Sequence, residues 1–120
     1  MKTDRIRLQQ LLEAEMAAIR NVDLQARVKA LLIEPVLMRC AWNYGRPDET
    51  YPCWKVVGEP AVQRIGIAYC DQGFGPACPW GLIWLNETVP SMGQDSGWFS
   101  TFREAAADLL DVPASSLNVP

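Results

Sequence analysis

Apolar side chains in the first third of the chain recur at helical spacing. Leu8, Leu12, Met16 and Ile19 fall at i, i+4, i+8 and i+11, a single stripe that predicts a helix with one buried side. Thr3 or Asp4 is placed to cap it, and Arg5, Arg7, Glu13, Glu15 and Arg20 lie largely off the stripe, where water solvates them. Leu24, Val28 and Leu31 form a second stripe. Between the two, Asn21-Val22-Asp23 reads as a break or a bend: Asn ends one helix in the left-handed conformation and Asp23 caps the next. Pro35 closes the segment, because Glu34 before it is pushed out of helical geometry.

From Val36 the period changes to two. Val36, Met38, Cys40, Trp42 and Tyr44 alternate with Leu37, Arg39, Ala41 and Asn43, predicting a strand that turns the first set into the core. Three short apolar runs follow, at 53–58, 65–70 and 81–85, each bounded by Gly- and Pro-bearing segments, and they read as further strands of a meander. In the second of these, Gly66, Ala68 and Cys70 share a face. Side chains so small let other backbone approach, so a helix or a loop is expected over that face. The run at 82–85 is apolar on both faces, which suits a strand that is central or flanked by an interface rather than an exposed edge. Residues 86–98 lack periodicity and read as loop. Thr101-Phe102-Arg103-Glu104 then fits a capping box, followed by Ala105, Ala106, Leu109 and Leu110 on one helical face, with Pro113 as the stop.

The predicted architecture is a single α+β domain over residues 1–120. An N-terminal helix or helix pair precedes a four-stranded antiparallel meander and a C-terminal helix, with the helices on one face of the sheet. A chain of 120 residues with 49% hydrophobic and 21% charged content matches one ordinary globular core. No apolar run has the length of a signal peptide or a membrane span, so the chain is expected to be cytoplasmic, with no membrane partner and its four cysteines as thiols. Net charge is −3, without a Lys/Arg cluster, which argues against nucleic acid as a partner.

Histidine is absent. Its absence removes Ser-His-Asp and Cys-His catalysis and any zinc site with His ligands, and it argues against an enzyme. Ser96, in Gly93-Gln94-Asp95-Ser96-Gly97, lacks the spacing of a nucleophile elbow and reads as a turn residue. Gly73-Phe74-Gly75 is followed by Pro76 and Pro79 rather than by a helix, so it offers pyrophosphate no helix N-terminus. Successive cysteines are separated by 12, 16 and 7 residues, unlike the close pairs of structural zinc sites. Neither a metal nor another cofactor is expected. Cys40 and Cys53 read as small buried apolar groups, while Cys70 and Cys78 flank the 71–79 loop and could form a reversible disulfide.

What remains is an aromatic and carboxylate set on the loops 71–79 and 86–98: Asp71, Gln72, Phe74, Trp80, Asp95 and Trp98. One reading makes the tryptophans structural: Trp42, Trp54 and Trp84 fill the core, and Trp80 and Trp98 close its rim with their indole N–H groups satisfied. The other brings the two loops together as a recognition surface. On that basis the chain is expected to be a non-catalytic interaction module whose partner is another protein or a second copy of itself. The competing function is a small-ligand site or a carboxylate-based enzyme using Asp71 and Asp95.

Overall fold

The computed structural model describes residues 4–41, 50–57, 65–71, 78–84, 92, 97–113 and 115. Among these, two helices, α1 (Arg5–Ala17) and α2 (Val22–Leu31), lead into strands β1 (Leu32–Cys40), β2 (Tyr51–Val57), β3 (Ile65–Tyr69), β4 (Trp80–Trp84) and β5 (Trp98–Phe99), and α3 (Phe102–Leu110) follows. The strands lie side by side in chain order, each antiparallel to the next. The fold is the α+β meander expected, with a fifth strand added at one edge.

The N-terminal segment is two helices. Asp4 caps α1, its carboxylate accepting from the Arg7 amide at 2.8 Å. Asn21 does not terminate α1 in a left-handed conformation. It is the extended N-cap of α2, accepting from the Leu24 amide at 3.0 Å, and Asp23 sits in the first turn. The turn between the helices is held by Gln25, whose amide nitrogen donates to the carbonyls of Met16 and Ile19 at 3.0 and 3.2 Å. Glu15 is not left to water either: its carboxylate accepts from the Phe102 amide at 2.5 Å, capping the N-terminus of α3 from another element.

The helices cover one face of the sheet. Leu8, Leu12, Ile19 and Val28 pack with Val56, Val57, Ile67, Trp80 and Phe102 into one core. At its centre Trp80 stands edge-on to Tyr69 on one side and to Phe102 on the other, with ring centroids 4.9 and 5.3 Å away. The opposite face carries a second core, to which no helix contributes among the described residues: Cys40, Cys53, Ala68, Cys70, Ile83, Met92 and Trp98. The small Ala68–Cys70 side of β3 is thus covered by loop and β5 residues, one of the two coverings its size allows.

The α2 helix ends at Leu31, four residues before Pro35, and β1 begins at once, so Pro35 lies inside a strand. Proline is tolerated there because β1 is an edge strand, where one side of the backbone has no ladder to lose. The pairing with β2 is irregular between Leu32 and Val36, spanning the proline. Edge position also defeats the alternation: Cys40 is buried and Met38 half-buried, but Val36 is exposed. Trp42 and Tyr44 lie outside the described residues.

Candidate functional site

Of the six loop-borne residues the structure describes three, Asp71, Trp80 and Trp98, and these do not form one exposed surface. Gln72, Phe74 and Asp95 lie outside the described residues. Asp71, two residues past the end of β3, is partly exposed. Trp80 and Trp98 are 3% and 4% exposed, so both indoles are structural but lie inside the cores rather than closing a rim. They also point to opposite sides of the sheet. Gly81 pairs with Trp98 and Trp80 pairs with Phe99, and neighbouring positions on a strand alternate faces. Trp98 therefore belongs with the thiol-lined core and Trp80 with the helix-covered one. Trp84, expected inside, is 45% exposed at the end of β4, and Trp54 is half-buried against the helical core.

A concave site does exist, in a place the sequence pattern does not mark. The helices α1 and α2 and the start of β1 enclose an open cleft of about 690 Å³. Leu12, Met16, Leu32 and Pro35 give it an apolar wall, and Glu13 and Lys29 supply opposite charges. Its mouth on the β1 side is tied to α1 through Arg5. The guanidinium donates to the Pro35 carbonyl at 3.1 Å and lies 3.9 Å from the Glu34 carboxylate. That ion pair is solvent-exposed on both sides, so it positions the chain more than it stabilises it.

Beyond the cleft the same strand exposes two consecutive apolar residues, Val36 at 47% and Leu37 at 53%. Because they are adjacent they lie on opposite faces of the sheet, so neither face of β1 is covered at this point. Among the described residues β1 pairs only with β2. The far end of the strand is better protected: Arg39 donates to the Thr50 hydroxyl and carbonyl at 2.9 and 2.7 Å. Nothing in the alternating pattern distinguishes Val36 from a core residue, because an edge looks like a central strand until its neighbours are known.

For chemistry the cleft holds one amine and carboxylates, and the chain has no histidine to move a proton near neutral pH. Among the described residues no group of three or more His, Cys, Asp or Glu side chains is placed to hold a metal ion, and no helix is long and apolar enough to cross a membrane. Comparison with known proteins finds no matching family model, no matching curated protein and no matching solved structure.

Proposed function

We propose that the protein is a non-catalytic binding module that takes an extended segment of a partner protein along the outer edge of β1. Partner side chains then reach into the adjoining cleft. The observation that carries this reading is the pair Val36 and Leu37, half exposed on an edge strand. Edge strands in soluble proteins are usually blunted by charge, proline or a covering element, because their free N–H and C=O groups template further strands. Here Pro35 and the irregular register blunt only the start of β1, and Arg39 is occupied with Thr50. The stretch between them keeps both apolar side chains and, among the described residues, an open ladder, which is what strand addition uses.

The test is a photo-crosslinking amino acid at position 37 of the full chain, expressed in the source cell. A defined adduct with another protein supports the reading, and adducts with a second copy assign the edge to self-association. Crosslinks absent at 37 but present at a control position in the cleft, such as 13, would move the function to a small-ligand or other cleft site. That second reading is favoured by the cleft's volume, which lies within the roughly 300–1,000 Å³ of small-molecule sites.

A further inference from the structure

The four cysteines, scattered in sequence, are drawn together by the sheet. Met38 pairs with Cys53 and Cys40 with Tyr51, so Cys40 and Cys53 share a face and sit diagonally across β1 and β2. Trp54 pairs with Tyr69 and Lys55 with Ala68, and the same register carried one residue further sets Cys53 opposite Cys70. Cys70 is tied to the next strand by its amide, which donates to the Pro79 carbonyl at 2.9 Å, and Cys78 precedes that residue. The thiols of Cys40, Cys53 and Cys70 are all buried, and Cys78, half-buried, packs at the border of their cluster.

Spacing decides what such a row can do. Strands lie about 4.8 Å apart, so Cys40 and Cys70, two strands from each other, are separated by about 9.5 Å of sheet. That is a separation of backbones, and among the described residues no group of three or more His, Cys, Asp or Glu side chains is placed to hold a metal ion. The diagonal pair Cys40–Cys53, although its thiols share a hydrogen bond, occupies positions whose backbones are typically about 7–8 Å apart, beyond the range of about 4.4–6.8 Å that a disulfide bridges without backbone movement. The directly opposed pair Cys53–Cys70, at about 4.5–5.5 Å for its position, falls inside it.

We propose that Cys53 and Cys70 are a redox-active dithiol that closes to a disulfide by exchange with a low-molecular-weight disulfide, with Cys78 as its point of contact with solvent. The Cys78 thiolate attacks one sulfur of the small disulfide and expels the first small thiolate, which takes up a proton. Cys70 then attacks the Cys78 sulfur of the mixed disulfide, expelling the second small thiol. Cys53 attacks the Cys70 sulfur and returns Cys78 to the thiol. Two protein thiols are oxidised, and one small disulfide is reduced to two thiols. The hydrogen-bond pattern assigns the remaining cysteine. The Cys53 thiol is pushed up by its hydrogen bonds to Cys40 and Cys70 and by burial, whereas a hydrogen bond from Cys53 lowers Cys40. Cys40 stays a thiol partner of Cys53, and the Cys53 proton passes to the Cys78 thiolate as it leaves. The result is a covalent tie between β2 and β3 beneath Trp98 and Met92.

The experiment incubates the full-length native protein with excess oxidised glutathione, alkylates the remaining thiols after acid quenching, and maps the peptides without reduction. Two of the four thiols should be lost, the link should join the Cys53 and Cys70 peptides, and dithiothreitol should restore both. Cys78→Ala, a change at the border of the cluster, should slow formation of the link by about tenfold or more with unchanged circular dichroism, since only buried sulfurs then remain. Retention of all four thiols in the folded protein would overturn the proposal. So would a final product that is glutathionylated Cys78 or a Cys70–Cys78 link, or a Cys53–Cys70 link that forms equally fast without Cys78.

Discussion

The indole of Trp98 lies flat against the backbone of Gly81, so closely that a Cβ on residue 81 would sit 2.1 Å from Trp98 Cδ2. The two residues are cross-strand partners of β4 and β5, and the contact is the reason a two-residue strand can end the sheet. Trp98 is fixed from its other side as well. Its indole N–H donates to the Met92 carbonyl at 2.7 Å, while the Met92 amide donates to the Ala41 carbonyl at 2.8 Å. One loop residue thus links the end of β1 to the ring that covers β4.

Gly81→Ala should destabilise the protein by about 1–3 kcal/mol or more, the cost of overpacking a core that cannot give way. The obstacle is a rigid ring rather than the end of a flexible chain. Thermal unfolding followed by circular dichroism measures the loss, and the near-ultraviolet tryptophan signal should change in the native baseline. An unchanged midpoint would mean that the ring has room to move.

Trp98→Phe keeps an aromatic ring over Gly81 but deletes the N–H donor. The Met92 carbonyl then loses a buried partner, a loss of about 1–3 kcal/mol for an unsatisfied polar group. Denaturant unfolding should show the midpoint falling with an unchanged slope, since the fold and the area buried stay the same.

The start of α3 carries a pH signature. Thr101 accepts from the Glu104 amide at 3.3 Å, and its hydroxyl donates to the Glu104 carboxylate at 2.7 Å, joined by the Ser100 hydroxyl at 2.9 Å. The Thr101 hydroxyl is the main cause that holds the Glu104 carboxyl below its usual range, with smaller help from Ser100, the Thr101 backbone and Arg103 against the opposing effect of burial. A depressed folded-state pKa contributes stability that is present above the unfolded value and is lost as pH falls through the folded one. Wild type should therefore be more stable than Glu104→Gln at neutral pH, and the gap should close in acid, below about pH 4. Thr101→Ala should cost about 0.5–2 kcal/mol at neutral pH, the usual cost of losing such a cap. Melting curves of the three proteins across pH 3 to 7 test both statements; a gap that persists in acid would remove the ionised carboxylate from the account.

Helix ends such as this one were legible because their signals are local. The Thr101–Glu104 spacing and the Leu8–Leu12 stripe contain their own explanation, and both stand in the structure. The other end of α3 was less so. Asp111 adopts φ 57°, and paired bonds from the Asp111 and Val112 amides to the Asp108 and Ala107 carbonyls stop the helix before Pro113 is reached. What stayed hidden depended on which segments become neighbours. Two residues at Trp98–Phe99 are too few to show a period, and only β4 makes them a strand. Cys53 and Cys70 are separated by 16 intervening residues in sequence and meet through the register of β2 on β3. Pro35 looked like the end of a helix, whereas only its place at the sheet edge explains it.

The edge of β1 gives the sharpest separation of stability from function. Val36 and Leu37 are half exposed, on opposite faces, and nothing described packs over them. Replacing both with lysine removes little buried area, so the folding free energy should stay within about 0.5 kcal/mol of wild type, as for surface positions in general. The same change places charge where edge strands use it to prevent pairing, and a partner strand would have to desolvate it. Val36→Lys with Leu37→Lys should therefore abolish adduct formation from a crosslinker at position 39 of the same strand while leaving the melting temperature nearly unchanged. A large fall in melting temperature would show that these side chains belong to the core. An unchanged adduct pattern at full stability would show that the partner engages another surface.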